Sequence, residues 1–378
     1  MKLRKVLVCL LMAAMLTACG SSGGSAKSDF DMNSVKLGFD GPLSGAVSQY
    51  GVAVRNGVNL ALKQYNEAHG TNIEVVAYDD KGDATTAVNN YNKLVDDDGI
   101  TALVGPVTSG PTLAVVAAAT KNNTPILTPS GSADAITMNG DSAYENVFRV
   151  CCNDSFASTY LAQQCPGLGF KKVGILYNKE LDYSQGLDTA FIAEAKNQNV
   201  EVVYNEAYNT NTKDFATFIT ALKKLDMDAL YIPDYYETAD TIVKQLRDAG
   251  IKCPVMGADG WDGVLEVKGV NKKDLEGCLF VTGFDKDAEG QVATFMKSFK
   301  DEYNTDGNFF SALGYDALNI MLQAIEEAGS LDPAEINKAL ANIKVTDAVC
   351  GGYTYDENHN PIKEMIIVNI KDGKYTTK

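Results

Sequence analysis

TALVGPVTSGPTLAVVAAATKNNTPILTPSGS, residues 101–132, carries the pattern that decides the fold. A short apolar run (TALVGP) enters a small-residue helical stretch (PTLAVVAAATK) and then a second apolar run (PILTPS), which together read as one strand–helix–strand unit. The same alternation recurs on both sides. Upstream, Val35 to Gly41 reads as a strand; Val54, Val58, Ala61, Leu62 and Tyr65 then take the spacing of one helical face, and Gly70 closes that helix as a C-cap. Strand IEVVAYD and helix TTAVNNYNKLV lie between. Downstream of the strand VFRV the pattern restarts with a helix near Phe156 to Gln164. Strands KVGILYN, EVVYNEAY and ALYIPD follow, alternating with helices GLDTAFIAEAKNQ, FATFITALKKL and ADTIVKQLRDAG. Two such series imply two α/β lobes, each a mainly parallel sheet flanked by helices.

A third stretch, Ala288 to Ile343, is helical without strands of its own. Its stripe of Leu313, Ala317, Leu318, Met321, Leu322 and Ile325 needs a sheet to cover, and the first lobe otherwise has a face underprotected. The runs GGYTYD and EMIIVNI are expected to return as strands to the second lobe. The expected boundaries are therefore 34–153 plus 285–348 for lobe 1 and 154–284 plus 349–378 for lobe 2. The chain would cross between them three times, near Cys152 to Asp154, Gly283 to Asp285 and Val349 to Gly351.

Composition narrows the compartment and the partners. The 378 residues carry 33 Lys+Arg against 49 Asp+Glu, a net charge of −16 that argues against nucleic acid and against a polybasic lipid-binding surface. Lys2, Arg4 and Lys5 precede an apolar segment from Val6 to Leu16, and Leu16-Thr17-Ala18-Cys19 closes it as a lipobox. Residues 1–18 are thus expected to be a cleaved lipoprotein signal, with Cys19 lipid-attached and holding the protein on a membrane. Residues 19–33, rich in Gly and Ser, would be a flexible tether. Six cysteines follow, too sparse for a disulfide scaffold; Cys253 and Cys278, each opening a predicted strand, form the one pair considered for bridging. With only His69 and His359 and no CxxC, neither a metal site nor a cofactor is expected.

In open α/β sheets ligands sit beyond the carboxyl ends of strands. Ser109 follows strand TALVGP at a predicted N-cap, and Ser130-Gly131-Ser132 follows PILTP; their hydroxyls and free amides could together hold one carboxylate. Plain helix capping explains either alone. Asp154 at the first crossing and Asp259 after strand PVMGAD supply opposite charge for a zwitterion, or else cap turns. Tyr50, Tyr183, Tyr235, Tyr236 and Trp261 collect in loops of the same class, where rings could enclose an apolar side chain.

At these residues the chain resembles the leucine/isoleucine/valine-binding proteins, type I periplasmic solute-binding components of branched-chain amino acid ABC importers. The resemblance rests on GPLSGAVSQYG, YDDKGDATTAV, GPVTSGPT, TPSGSA, FRVCCND, YSQG, YIPDYYE and GADGWDG, in the family's order through nearly the whole mature chain. It implies that Ser109, Ser132 and the backbone at Ser130 take the ligand carboxylate, that Asp154 and Asp259 take the ammonium, and that Tyr50, Tyr183, Tyr235 and Trp261 wall the side-chain pocket. Two departures bear on ligand choice: the family often has threonine where Ser132 stands and glutamate where Asp259 stands. The implied partners are an amino acid and the membrane subunits of an ABC permease, with the protein a monomer that closes on its ligand by bending at the three crossings. A sensory receptor of the same fold, or a binder of short amides or urea-like solutes, is the alternative. A hydrolase using Ser130 or Ser132 is disfavoured, since GxSxG and a suitably placed histidine are absent.

Overall fold

A computed structural model describes residues 30–377. The expected signal, lipobox and lipid-attached Cys19 lie outside them. Five parallel strands form one sheet in the order β2-β1-β3-β4-β7: β1 (Lys36–Gly41), β2 (Glu74–Asp79), β3 (Ala102–Val104), β4 (Ile126–Thr128) and β7 (Val147–Arg149). A small hairpin, β5 (Met138–Asn139) and β6 (Ser142–Ala143), interrupts the last connection. The helices between are α1 (Ser48–His69), α2 (Ala84–Asp96) and α3 (Ser109–Asn122). In α1 the residues Tyr50, Val54, Val58 and Ala61 are buried as their spacing requires, and Gly70, in the left-handed region at φ 65°, ends the helix by donating to Asn66 O. The side chain of Asp83 accepts from the Thr86 amide and so caps α2.

A seven-stranded sheet, ordered β14-β13-β12-β11-β10-β8-β9, builds the second half. Its parallel strands are β8 (Lys172–Asn178), β9 (Glu201–Tyr208), β10 (Ala229–Tyr231), β11 (Val255–Gly257) and β12 (Leu279–Thr282). Beside them run α4 (Asp154–Leu168), α5 (Asp182–Asn197), α6 (Ala216–Leu222) and α7 (Tyr236–Asp248). The run EMIIVNI supplies β13 (Ile366–Lys371), which joins antiparallel to β12, and β14 (Lys374–Thr376) completes a hairpin. GGYTYD does not enter this sheet. Tyr353 and Tyr355 make only isolated bridges, to Val345 and Pro361, and Tyr355 packs on Phe148 of β7. The alternation of that segment serves a local aromatic contact instead of a ladder.

The strandless block forms α8 (Gln291–Tyr303), α9 (Phe309–Ala328) and α10 (Pro333–Asn342). Helix α9 lies along α1 and over β3 and β4 of the five-stranded sheet, and α10 reaches β7. Its backbone comes close enough to α1 that a Cβ on Gly57 would stand 1.9 Å from Ser311 O, and one on Gly314 2.2 Å from Val54 O.

Two local expectations are corrected here. The chain is ordered before Val35: Met32–Ser34 form a 3-10 turn whose Asn33 amide is held by Asp31, and Phe30 and Met32 pack against the core. Cys253 and Cys278 are free thiols. The register places Cys278 beside Val255, two residues past Cys253, and the Arg247 guanidinium sits against both, 3.7 Å from Cys278 Sγ and 3.0 Å from Cys253 O.

Candidate functional site

The carboxyl ends of β3 and β4 lie side by side, and the two loops leaving them are stitched together. Ser109 is the first residue of α3, with Thr108 in the capping position before it and making no side-chain cap, so the predicted N-cap is shifted by one residue. Freed from capping its own helix, the Ser109 hydroxyl accepts from the amides of Ser132 (3.3 Å) and Ala133 (3.2 Å), which leaves its proton to donate. Ser130 donates to Val107 O at 2.7 Å, fixing the loop. Arg149, fully buried, donates to the carbonyls of Gly131, Ser132 and Ala133 from beneath. The result is a rigid shelf of hydroxyls and amides.

Asp154 opens α4, and its amide donates to Ser132 O at 2.9 Å, which brings the helix against that shelf. Both its carboxylate oxygens are buried without a hydrogen-bond partner. Burial pushes its pKa well above the carboxylate range, only partly offset by the nearby Ser132 hydroxyl. From the other sheet, Asp259 begins a 3-10 turn after β11 and accepts from the Tyr183 hydroxyl at 2.9 Å. Burial raises it to about 6.

Three rings stand around this space. Tyr183, in the first turn of α5, stacks on Tyr235, with centroids 5.0 Å apart and planes 16° from parallel. Tyr50 of α1 meets Tyr235 edge-on at 5.5 Å, and its hydroxyl crosses to Gly260 O at 2.5 Å. Two small adjoining cavities of about 10 Å³ each result, sharing Ser132 and Asp259. One is lined by Tyr50, Ser109, Ser130, Tyr183, Tyr235 and Phe310, the other by Cys152, Asp154, Phe309 and Met365. A larger open groove holds none of Ser109, Ser130, Ser132, Asp154 and Asp259.

Eight of the nine expected ligand residues thus gather around these two adjoining cavities, and Trp261 does not. Its ring is fully buried against Gly257, with Nε1 donating to Ile232 O at 2.9 Å, so it braces the loop that carries Asp259 and does not line either cavity. Phe309, Phe310, Cys152 and Met365 were not expected. The two phenylalanines directly follow the capping residue Asn308 at the start of α9, a loop-to-helix junction like those that marked the tyrosines. Among the described residues no group of three or more His, Cys, Asp or Glu could hold a metal ion, and no helix is long and apolar enough to cross a membrane.

Two α/β sheets closing on a buried set of hydroxyls and acids define a two-lobed binding protein that traps a small solute. The sequence profile of the periplasmic binding protein family matches residues 34–374, and the chain belongs to that family. It is similar to a Leu/Ile/Val-binding protein homologue of Brucella melitensis, 29% identical over 328 residues, 85% of this chain and 87% of that one. It is also similar in structure to the branched-chain amino acid transporter substrate-binding protein of Streptococcus pneumoniae, solved with isoleucine. There the TM-score is 0.83 at 30% identity, covering 90% of this chain and 97% of that one. A solute-binding protein of a Rhodopseudomonas palustris ABC transporter, solved with benzoate, shares the fold at TM-score 0.83 and 23% identity, over 90% and 94% of the two chains. The chain is accordingly a solute-binding component for an ABC transporter, an extracytoplasmic domain that delivers a small ligand by lobe closure and performs no catalysis.

Proposed function

We propose that this protein captures a branched-chain amino acid and hands it to an ABC permease as a lipid-anchored monomer. The observation that carries the reading is the Asp154 carboxylate, sealed in the cleft with neither oxygen paired, opposite a shelf of hydroxyl and amide donors. A buried acid without a partner is costly unless a cation completes it. An α-amino acid supplies that cation and, one carbon away, the carboxylate the shelf is built to receive. In this reading Ser109, Ser132 and the backbone at Ser130 hold the carboxylate, Asp154 and Asp259 the ammonium, and Tyr50, Tyr183 and Tyr235, joined by Phe310, the apolar side chain. Closure bends the chain at three crossings between the lobes, the last of them later than the expected Val349 to Gly351. Val349 and Cys350 donate to Asp316 of α9, and Tyr355 and His359 pack on Phe148 of β7, so this stretch stays with the first lobe until β13. The similarity to the isoleucine-bound Streptococcus pneumoniae protein supports the branched-chain assignment.

The test is calorimetric titration of ligand-stripped protein with leucine, isoleucine and valine. Asp154→Asn should weaken binding by about 3 kcal/mol or more, since it removes one partner of a buried ion pair. Unchanged titrations in that variant would discard the assignment. Lipid attachment is checked separately by palmitate labelling, expected in the full chain and lost in Cys19→Ala.

A further inference from the structure

We propose that Tyr236 is a latch that holds the two lobes closed through protein–protein bonds alone, setting affinity for every ligand equally and selectivity for none. The inference rests on lobe closure and not on which amino acid is bound. Tyr236 is the first residue of α7, immediately after the cavity residue Tyr235, yet it lines neither cavity. Its side chain turns away from the ligand space and across the cleft. The hydroxyl donates to Ala46 O at 2.8 Å and accepts from the Gln49 amide at 3.3 Å, so it clamps the segment leading into α1 from both sides of one oxygen.

The backbone beside it completes the clasp. The Tyr236 amide donates to the Tyr50 hydroxyl at 3.2 Å, and that hydroxyl donates onward to Gly260 O at 2.5 Å. The rings of Tyr50 and Tyr236 meet edge to face at 4.8 Å, and Tyr236 is 1% exposed. A further bond spans the cleft nearby, where Asp262 accepts from the Phe309 amide at 3.0 Å at the N-terminus of α9. A carboxylate there meets the positive end of a 20-residue helix and an amide that has no partner within its own helix.

All five bonds join groups carried by the five-stranded sheet and its helices to groups carried by the seven-stranded sheet. None includes a ligand atom. Their contribution therefore belongs to the equilibrium between open and closed forms, and a ligand that binds the closed form has its apparent affinity scaled by the closed fraction. Tyr50 is shared between latch and cavity; Tyr236 and Asp262 are not, which makes them the residues where closure can be weakened without touching the ligand.

The test compares purified wild-type protein with Tyr236→Phe, which keeps the ring and removes the hydroxyl, and with Asp262→Asn. Dissociation constants for leucine, isoleucine and valine should all rise by the same factor, about three- to tenfold, with the ratios among them unchanged. Small-angle scattering of the ligand-free protein should show a larger radius of gyration in both variants. The latch is overturned if the affinities stay at wild-type values, if the ratios among ligands shift, or if the ligand-free scattering curves coincide. Should wild-type protein bind none of the three amino acids, the amino-acid reading fails while the scattering comparison still decides the latch.

Discussion

Asp154 and Asp259 are two acids of one cavity with different surroundings, and the difference sets how binding responds to pH. Asp259 shares its charge with the Tyr183 hydroxyl and is raised to about 6, whereas Asp154, with only the Ser132 hydroxyl nearby and no partner at hydrogen-bond distance, is raised well above the carboxylate range. Burial is the first cause for both. In the ligand-free closed form burial favours the protonated form of Asp154, and a proton reaches Asp259 as pH falls through about 6. In the proposed reading an arriving ammonium favours the ionised carboxylates and expels those protons, which links binding to proton release. Affinity should therefore fall as pH is lowered, more steeply below about 6, approaching a tenfold loss per pH unit for each proton released. Titrations at neutral pH in buffers of different ionisation enthalpy should report release of protons. Identical apparent enthalpies across buffers, with flat affinity between pH 8 and 5, would show that these acids do not meet a cation.

At the scale of elements, the junction of α1 and α9 makes the clearest demand on the sequence. Gly57 and Gly314 remove side chains where the two backbones touch, and a methyl group at Gly57 would overlap Ser311 O at 1.9 Å. Gly57→Ala should cost about 1 to 3 kcal/mol or more as the helices are forced apart, read as a lower urea midpoint with an unchanged slope. A wild-type midpoint would mean the helices are free to separate. The elements themselves were legible because each apolar run announces its own period: Val54, Val58 and Ala61 mark a helix face, and IIVNI a strand. Legibility ended where an outcome depends on a distant partner. GGYTYD alternates like a strand, but Phe148 claims Tyr355 before any ladder forms. Ser109 looks like a cap until Ser132 and Ala133, 23 and 24 residues on, occupy its oxygen. Trp261 follows a strand end as the tyrosines do, yet the empty space over Gly257 draws its ring into the core. Phe309 and Phe310 were hidden for the opposite reason, since aromatic residues at the start of an apolar helix read as packing.

For the molecule as a whole, the proposed zwitterion site makes a ligand's charge number a sharper test than its shape. The Rhodopseudomonas palustris protein of the same fold was solved with benzoate, an aromatic monoanion, so the architecture alone does not require a zwitterion. Here Asp154 and Asp259 line the space that a monoanion would share, and whatever charge they keep would repel it, while Arg149 is committed to the carbonyls of Gly131, Ser132 and Ala133. In the proposed reading an amino acid places its ammonium at that end and brings no net charge into the closed cleft. Because ligand binds the folded, closed form, its affinity appears as added stability of roughly 2.7 kcal/mol when its concentration is 100 times Kd. Spread over a two-lobed chain of this length, that should raise the melting temperature by several degrees. Isoleucine, leucine and valine should each give such a shift at millimolar concentration in ligand-stripped protein, and benzoate none. In Asp154→Asn the amino-acid shift should vanish while the ligand-free melting temperature holds or rises, since an unpaired buried acid has been removed. A shift with benzoate and none with isoleucine would reverse the assignment of the cleft's charge.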